Sequence, residues 1–200
     1  MTGVSEMKTG NIAYPLVLFS VLLAALPGCG PALIAGGATG AALVHDRRTT
    51  GTVVEDQSIE FKAKSVIASD EELNEKSHLN VTSYNNVVLV TGETPTEELR
   101  ARAVRLVEGV EKVKQVYDEI EIAAPSALLA RSSDTVLTGK VKTRLLAAKG
   151  LDGTRVKVVT ERGIVYLMGL VSKEEADIAT DVTRKTRGVQ KVVRLFQYVE

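Results

Sequence analysis

Asn85-Asn86-Val87-Val88-Leu89-Val90-Thr91-Gly92 decides the fold, because the chain writes it again as Arg162-Gly163-Ile164-Val165-Tyr166-Leu167-Met168-Gly169. Each copy is a run of β-branched and other apolar residues that leaves turn-forming residues and reaches a glycine, the pattern of a strand emerging from a hairpin. The flanking sequence repeats too, with Gly109-Val110-Glu111-Lys112-Val113 answered by Gly188-Val189-Gln190-Lys191-Val192. The first pair is offset by 77 residues and the second by 79, which predicts a two-residue insertion in the helix between them. Two small domains of one kind follow one another along the chain.

Each repeat reads as helix, hairpin, helix, strand. In the second, residues 156–160 and 164–170 form strands joined through Glu161-Arg162-Gly163. Ser172-Lys173-Glu174-Glu175 has the spacing of a capping box and opens a helix through Ala176, Ala179 and Val182, which Gly188 ends before a strand over 189–199. In the first, the corresponding elements are a strand over 87–92, a helix over 96–107, a stop at Gly109 and a strand over 113–122, with 123–133 linking the domains. Ahead of each hairpin, residues 58–68 and 136–146 read as helices offset by 78. At about 100° per residue, Ile59, Ala63, Val66 and Ile67 make a core-facing stripe, matched by Leu137, Val141, Arg144 and Leu145.

The N-terminal region has a different character. Residues 12–26 are almost wholly apolar, too short for a spanning helix and the right length for the core of a signal peptide. They end in Leu26-Pro27-Gly28-Cys29, which resembles a bacterial lipobox, in which the cysteine carries the lipid and becomes the first mature residue. Cys29 is the sole cysteine, so no internal disulfide can form. Gly30 follows it, and the lack of Asp there resembles lipoproteins sorted to the outer membrane. Met7 followed by Lys8 is a more ordinary start than Met1 for such a leader. The Ala- and Gly-rich stretch over 31–44 reads as a tether; its Gly36 and Gly40 have GxxxG spacing, but the run lacks the ending of a phosphate loop. The boundaries that follow are 1–28 for the signal peptide, 29–54 for lipidated Cys29 and a flexible tether, and 55–125 and 126–200 for the two domains.

Twenty-five basic and twenty-five acidic residues leave no net charge, so bulk attraction to nucleic acid is not indicated. Catalysis is disfavoured as well. Only His45 and His78 are present, neither has a carboxylate at a readable spacing, and the single thiol is committed to lipid, so Cys/His chemistry and His-based metal sites lack groups. Glu97-Glu98 and Glu174-Glu175 open helices, where acids favour the dipole. The reading is a non-enzymatic protein with no cofactor and no metal.

The glycine-bearing strand, the helix and the Gly-Val-x-x-Val signature together resemble the BON domain, an αββαβ module of bacterial envelope proteins. The order of lipobox, Asp46-Arg47-Arg48-Thr49 leader and two such modules resembles the dual-BON family of division- and outer-membrane-stress-associated lipid-binding lipoproteins. The resemblance implies an α+β fold of two tandem domains, each with helices packed on a small three-stranded sheet. It also implies a protein anchored in the outer membrane and facing the periplasm, binding anionic phospholipids such as phosphatidylglycerol and cardiolipin in support of envelope integrity and cell division.

The residues place that contact on the second domain. Val136 and Leu146, with Gly139, Thr143 and Ala147 between and beside them, make an apolar strip on the helix face opposite the core stripe, where the first repeat has Ser58 and Ala68. Lys140, Lys142 and Lys149 flank it. From 55 to 76 there are seven acids (Glu55, Asp56, Glu60, Asp70, Glu71, Glu72, Glu75) and three bases (Lys62, Lys64, Lys76). From 131 to 149 there are five bases (Arg131, Lys140, Lys142, Arg144, Lys149) against Asp134 alone. An apolar strip edged by lysines is the pattern of a helix lying in a membrane interface. Each such charge contributes about 1 kcal/mol near an anionic surface, whereas acyl chains contribute about 0.8 kcal/mol for each buried CH₂. The anchor therefore sets membrane residence and the helix sets lipid preference. The family pattern has an aromatic residue where Val136 stands, so charge carries more of the contact here. Two other readings of the strip remain open: packing against the first domain or the 123–133 link, and an adaptor surface for an outer-membrane assembly protein. Phe61 lies near the outer face of its own helix and is a candidate cover for the other domain.

Overall fold

The computed structural model describes residues 46–124 and 128–199, with side chains for all of these except 128–131. The stretches expected to be a signal peptide and tether, up to residue 45, with Cys29, Gly36, Gly40 and His45, lie outside the described residues. In chain order the elements are α1 (Thr50–Ser69), α2 (Glu71–Lys76), β1 (His78–Tyr84), β2 (Val87–Thr94), α3 (Glu97–Glu108), β3 (Gln115–Ile122), α4 (Leu128–Leu146), β4 (Val156–Glu161), β5 (Ile164–Val171), α5 (Lys173–Arg184) and β6 (Lys191–Tyr198). Each repeat is therefore αββαβ, with α2 as an addition to the first. In both sheets the second strand is central, antiparallel to its hairpin partner and parallel to the last strand across a helical crossover.

The hairpins turn in two residues. Asn85 and Asn86 have φ of 53° and 66°, and Arg162 and Gly163 have 50° and 76°, the double positive φ that suits the twist of a tight hairpin. A buried helix aspartate holds each turn. Asp56 accepts from the backbone N–H of Asn85 (2.7 Å) and Asn86 (2.8 Å), from Ser83 Oγ (2.6 Å) and from Arg48 (2.8 Å). Asp134, its counterpart 78 residues on, accepts from the backbone N–H of Arg162 (2.7 Å) and Gly163 (2.9 Å). Both sit one turn before the core stripe of their helix, followed by Ile59, Ala63 and Ile67 in one case and Leu137, Val141 and Leu145 in the other.

Several expected boundaries move, among them the starts of β3 and β6, which fall at Gln115 and Lys191 and not at 113 and 189. α1 starts at Thr50, where Thr49 caps it by accepting from the N–H of Thr52, and not at 58; its first turns lack an apolar stripe and are held by polar contacts. α4 starts at Leu128, inside the stretch expected to be a linker. β2 runs on through Gly92 to Thr94, because Gly92 marks a close approach and not an end: at φ +117°, a Cβ there would lie 1.9 Å from the carbonyl oxygen of His78. Gly188 does not close α5, which ends at Arg184 with Lys185 as its cap; at φ +105° it turns the chain into β6.

The predicted 79-residue offset is also corrected. Both crossover helices have 12 residues, so neither contains an insertion. The bond from Val113 N–H to the Val110 carbonyl matches that from Val189 N–H to the Thr186 carbonyl, and positive φ at Lys112 matches positive φ at Gly188, both 76 apart. Register agrees, since Val87 pairs with Gln115 and Ile164 with Lys191. The two Gly-Val-x-x-Val strings therefore occupy different positions of the fold.

Each sheet buries one face under its own helices. Val88, Val90 and Ile120 meet α1 and α3, and Val165, Leu167 and Phe196 meet α4 and α5. The other faces meet one another: Tyr84, Val87 and Leu89 pack with Tyr166, Met168 and Leu195 in a shared core. The result is four layers, α/β/β/α, in which the domains are one body. Polar contacts rim the seam, including Asn85 to Gln197 (2.7 Å), Lys157 to Glu60 (2.7 Å) and Arg162 to Glu121 (2.6 Å). Burial, with the Glu119 carboxylate close by, pushes the Tyr166 hydroxyl well above its usual range, so it stays neutral in the seam. Glu93, which stands where the second repeat has Leu170, is fully buried and neither of its carboxylate oxygens has a hydrogen-bond partner.

The clamps generate a prediction. Removing a buried carboxylate leaves the turn N–H groups unpaired, at about 1–3 kcal/mol for each group. Asp134→Ala should destabilise the protein by about 2 kcal/mol, and Asp56→Ala, which loses more partners, by more than that. Urea midpoints of the two variants check this; values within error of the wild type would show that the turns hold themselves.

Candidate functional site

The outer surface of α4 carries the residues singled out from sequence. Its inner stripe, Leu137, Val141 and Leu145, is buried in the second core. Facing away from that core, Val136 is 58% exposed and Leu146 is 61% exposed. The sheets already use their second faces on each other, and nothing among the described residues folds over this helix. Val136 and Leu146 are therefore not buried against the first domain, although Leu146 borders a cleft that Arg48 and Tyr84 also line. Phe61, 76% exposed on α1, does not cover the second domain among the described residues.

Arg144 departs from the core stripe in which the repeat alignment places it. It is exposed and reaches across to α5, donating to the Lys185 carbonyl (2.8 Å) and the Thr186 hydroxyl (3.4 Å), where it satisfies an end of that helix. Thr143 spends its hydroxyl on the Gly139 carbonyl (3.0 Å).

The structure spreads the remaining residues over three clefts, in one of which Val136, Lys140 and Arg187 stand with Glu121, paired to Arg162, and Asp134, engaged with the hairpin turn. Gly139, Lys140 and Thr143 line a second cleft with Arg144, Thr186 and Arg187. Lys142 and Leu146 line the third with Arg48, Tyr84 and Lys157. Ala147 and Lys149 are exposed just beyond the end of the helix and line none of them. Sequence reading missed Arg187, which tertiary structure brings to α4 from the α5–β6 turn.

Electrostatics separates the domains more sharply than residue counts do. In the first, Lys62 pairs with Glu111, Lys64 with Glu60, Lys76 with Glu72 and Lys112 with Glu55. Arg102 meets Asp70, Glu72 and Glu98. In the second, no ion pair joins Lys140, Lys142, Lys149 or Arg187 to a carboxylate among the described residues. The exposed strip is thus bordered by cations with no carboxylate partner among the described residues.

The leader ahead of α1 ties the two domains together. Arg48 lies over the Tyr84 ring, 3.9 Å from its centroid, and meets Asp46 and Asp56. Arg47 crosses to the second domain, bonding the Leu170 carbonyl (3.0 Å) and Glu175 (2.6 Å). Glu175 also completes the capping box with Ser172. Burial pushes the Glu175 carboxyl up, but the Ser172 N–H, Arg47 and Arg155 outweigh it and hold the group below its ordinary value. No helix among the described residues is long and apolar enough to cross a membrane, and no group of three or more His, Cys, Asp or Glu there could hold a metal ion.

Comparison with known proteins matches the BON domain twice, over residues 55–124 and 133–200. The chain belongs to the BON domain family. It is 36% identical to the outer membrane lipoprotein DolP of Haemophilus influenzae over 93% of this chain and 98% of that one. It is 37% identical to a 21 kDa hemolysin of Actinobacillus pleuropneumoniae over 78% of this chain and 80% of that one. Osmotically-inducible protein Y of Escherichia coli is 28% identical over 71% and 72%. The α4 surface is therefore the outer helix of the second BON domain.

Adjacent residues on α4 should respond oppositely to charge. Leu146→Glu places a carboxylate in water and should leave stability within about 0.5 kcal/mol of the wild type. Leu145→Glu buries one in the core and should abolish the cooperative unfolding transition. Thermal unfolding followed by circular dichroism distinguishes them; similar losses in both would mean that the outer face is covered.

Proposed function

We propose that this protein is an outer-membrane lipoprotein, anchored through Cys29 and facing the periplasm, whose second BON domain binds anionic phospholipids through the outer face of α4. In this role it supports envelope integrity and division-linked maintenance of the outer membrane. The observation that carries the reading is the exposed pair Val136 and Leu146, edged by Lys140 and Lys142 with no carboxylate partner among the described residues. An apolar strip can enter the acyl boundary while ammonium groups remain at the phosphates. The similarity to an outer membrane lipoprotein over nearly the whole chain supports the location.

The mechanism needs no reaction. The acyl chains on Cys29 hold the protein at the membrane, and α4 adds a weaker, charge-dependent contact that favours anionic patches. Such a contact weakens as salt screens the lysines.

Sedimentation of the fragment beginning at residue 30 with vesicles containing or lacking phosphatidylglycerol tests this. Wild type should pellet with the anionic vesicles alone, less so at high salt, and Leu146→Glu should remain in the supernatant. Absence of binding to either vesicle would overturn lipid recognition and leave the adaptor reading, with its outer-membrane assembly partner, to be pursued.

A further inference from the structure

The first BON domain is a built-in reference for the second. With the hairpin helices aligned at an offset of 78 and the later elements at 76, each residue of the α4 cleft has a counterpart on α1 or after α3. Gly139 stands where the first domain has Phe61, Arg144 where it has Val66, and Thr186 where it has Val110. Lys140 corresponds to Lys62 and Arg187 to Glu111. In the first domain those last two positions form an ion pair, with Lys62 Nζ 3.2 Å from Glu111. In the second the acid has become a base, so two cations line one cleft of about 620 Å³ with Arg144 as a third.

Like charges at such a site repel unless an anion lies between them. Gly139 adds an independent sign. It lies mid-helix, where glycine is unfavourable, yet a Cβ there would meet nothing within 4 Å, so packing within the chain does not require it. The space that Phe61 occupies in the first domain is left open beside the cations. Arg144 is already oriented by the Lys185 carbonyl and retains further donors on its guanidinium.

We infer that the cleft between α4 and the α5–β6 turn is a seat for a phosphate ester, the diester of a phospholipid headgroup, held by Lys140, Arg144 and Arg187 over Gly139. This rests on the lipid-binding reading above and assigns its headgroup contact to one flank of the strip. Arginine forks suit phosphate oxygens, and the seat adds charge recognition to the apolar strip.

The test uses the full chain in neutral detergent micelles, with backbone amide shifts followed by NMR during titration with dihexanoyl-phosphatidylglycerol. Dihexanoyl-phosphatidylcholine, glycerol 3-phosphate and inorganic phosphate are the parallel arms. Phosphatidylglycerol should shift Gly139, Thr143, Thr186 and Arg187. Arg187→Glu should weaken binding about thirtyfold, as expected for two units of charge at an anionic surface, and Arg187→Lys should retain most of it. Gly139→Phe, which installs the first domain's residue, should bind weakly while keeping its fold by circular dichroism. Shifts confined to Val136 and Leu146, with Arg187→Glu unaffected, would overturn the cleft and spare the lipid surface. Equal shifts with glycerol 3-phosphate or inorganic phosphate would overturn the lipid assignment, and no shift on α4 at all would overturn both readings.

Discussion

The packing of one three-stranded sheet against the other governs what the rest of the molecule can do. A small αββαβ domain covers one sheet face with its own helices and leaves the other bare, and a core of that size is marginal alone. Here Tyr84, Val87 and Leu89 meet Tyr166, Met168 and Leu195, so each domain completes the other. Once the sheets are joined, the surfaces left for a partner are the outer helices and the rims. The leader reinforces the arrangement, since Arg47 grips Glu175 while Arg48 remains with Asp56.

Within that symmetric frame the two domains have diverged on the outside. The interior repeats closely, down to the aspartates that hold each hairpin turn, with buried Glu93 in the place of Leu170 as an exception. The exteriors do not. The first domain pairs Lys62, Lys64, Lys76, Arg100, Arg102 and Lys112 with acids, whereas in the second no ion pair among the described residues engages Lys140, Lys142 or Arg187 beside the apolar strip. A shared interior with opposed exteriors is what results when a duplicated module keeps its folding constraints and one copy takes on a contact.

Local pattern made much of this readable. The Glu161-Arg162-Gly163 hairpin, the Ser172 and Glu175 capping box and the stripe Leu137, Val141, Leu145 follow from spacing, and the structure has each of them. The aspartate clamps were hidden because a carboxylate occupies a position one turn before the stripe, where periodicity calls for an apolar residue. The first turns of α1 were hidden because a cap and polar anchors, not an apolar face, hold them. Arg187 was lost to the alignment of the two Gly-Val-x-x-Val strings. Matching them at 79 pairs Arg187 with Glu108, while the backbone pairs it with Glu111, the partner of Lys62. Identity of letters prevailed over register, and only hydrogen bonds could correct it.

On the proposed function, α4 and not α1 is the face turned to the bilayer. Beyond Cys29 the chain has no cysteine, so Val136→Cys, Leu146→Cys and Phe61→Cys each offer a single labelling point in the fragment beginning at residue 30. The decisive measurement is quenching of a fluorophore at each position by nitroxide-bearing lipid in phosphatidylglycerol vesicles. Quenching is expected at 136 and 146 and not at 61. Equal quenching at 61, or none at 136 and 146, would contradict that orientation.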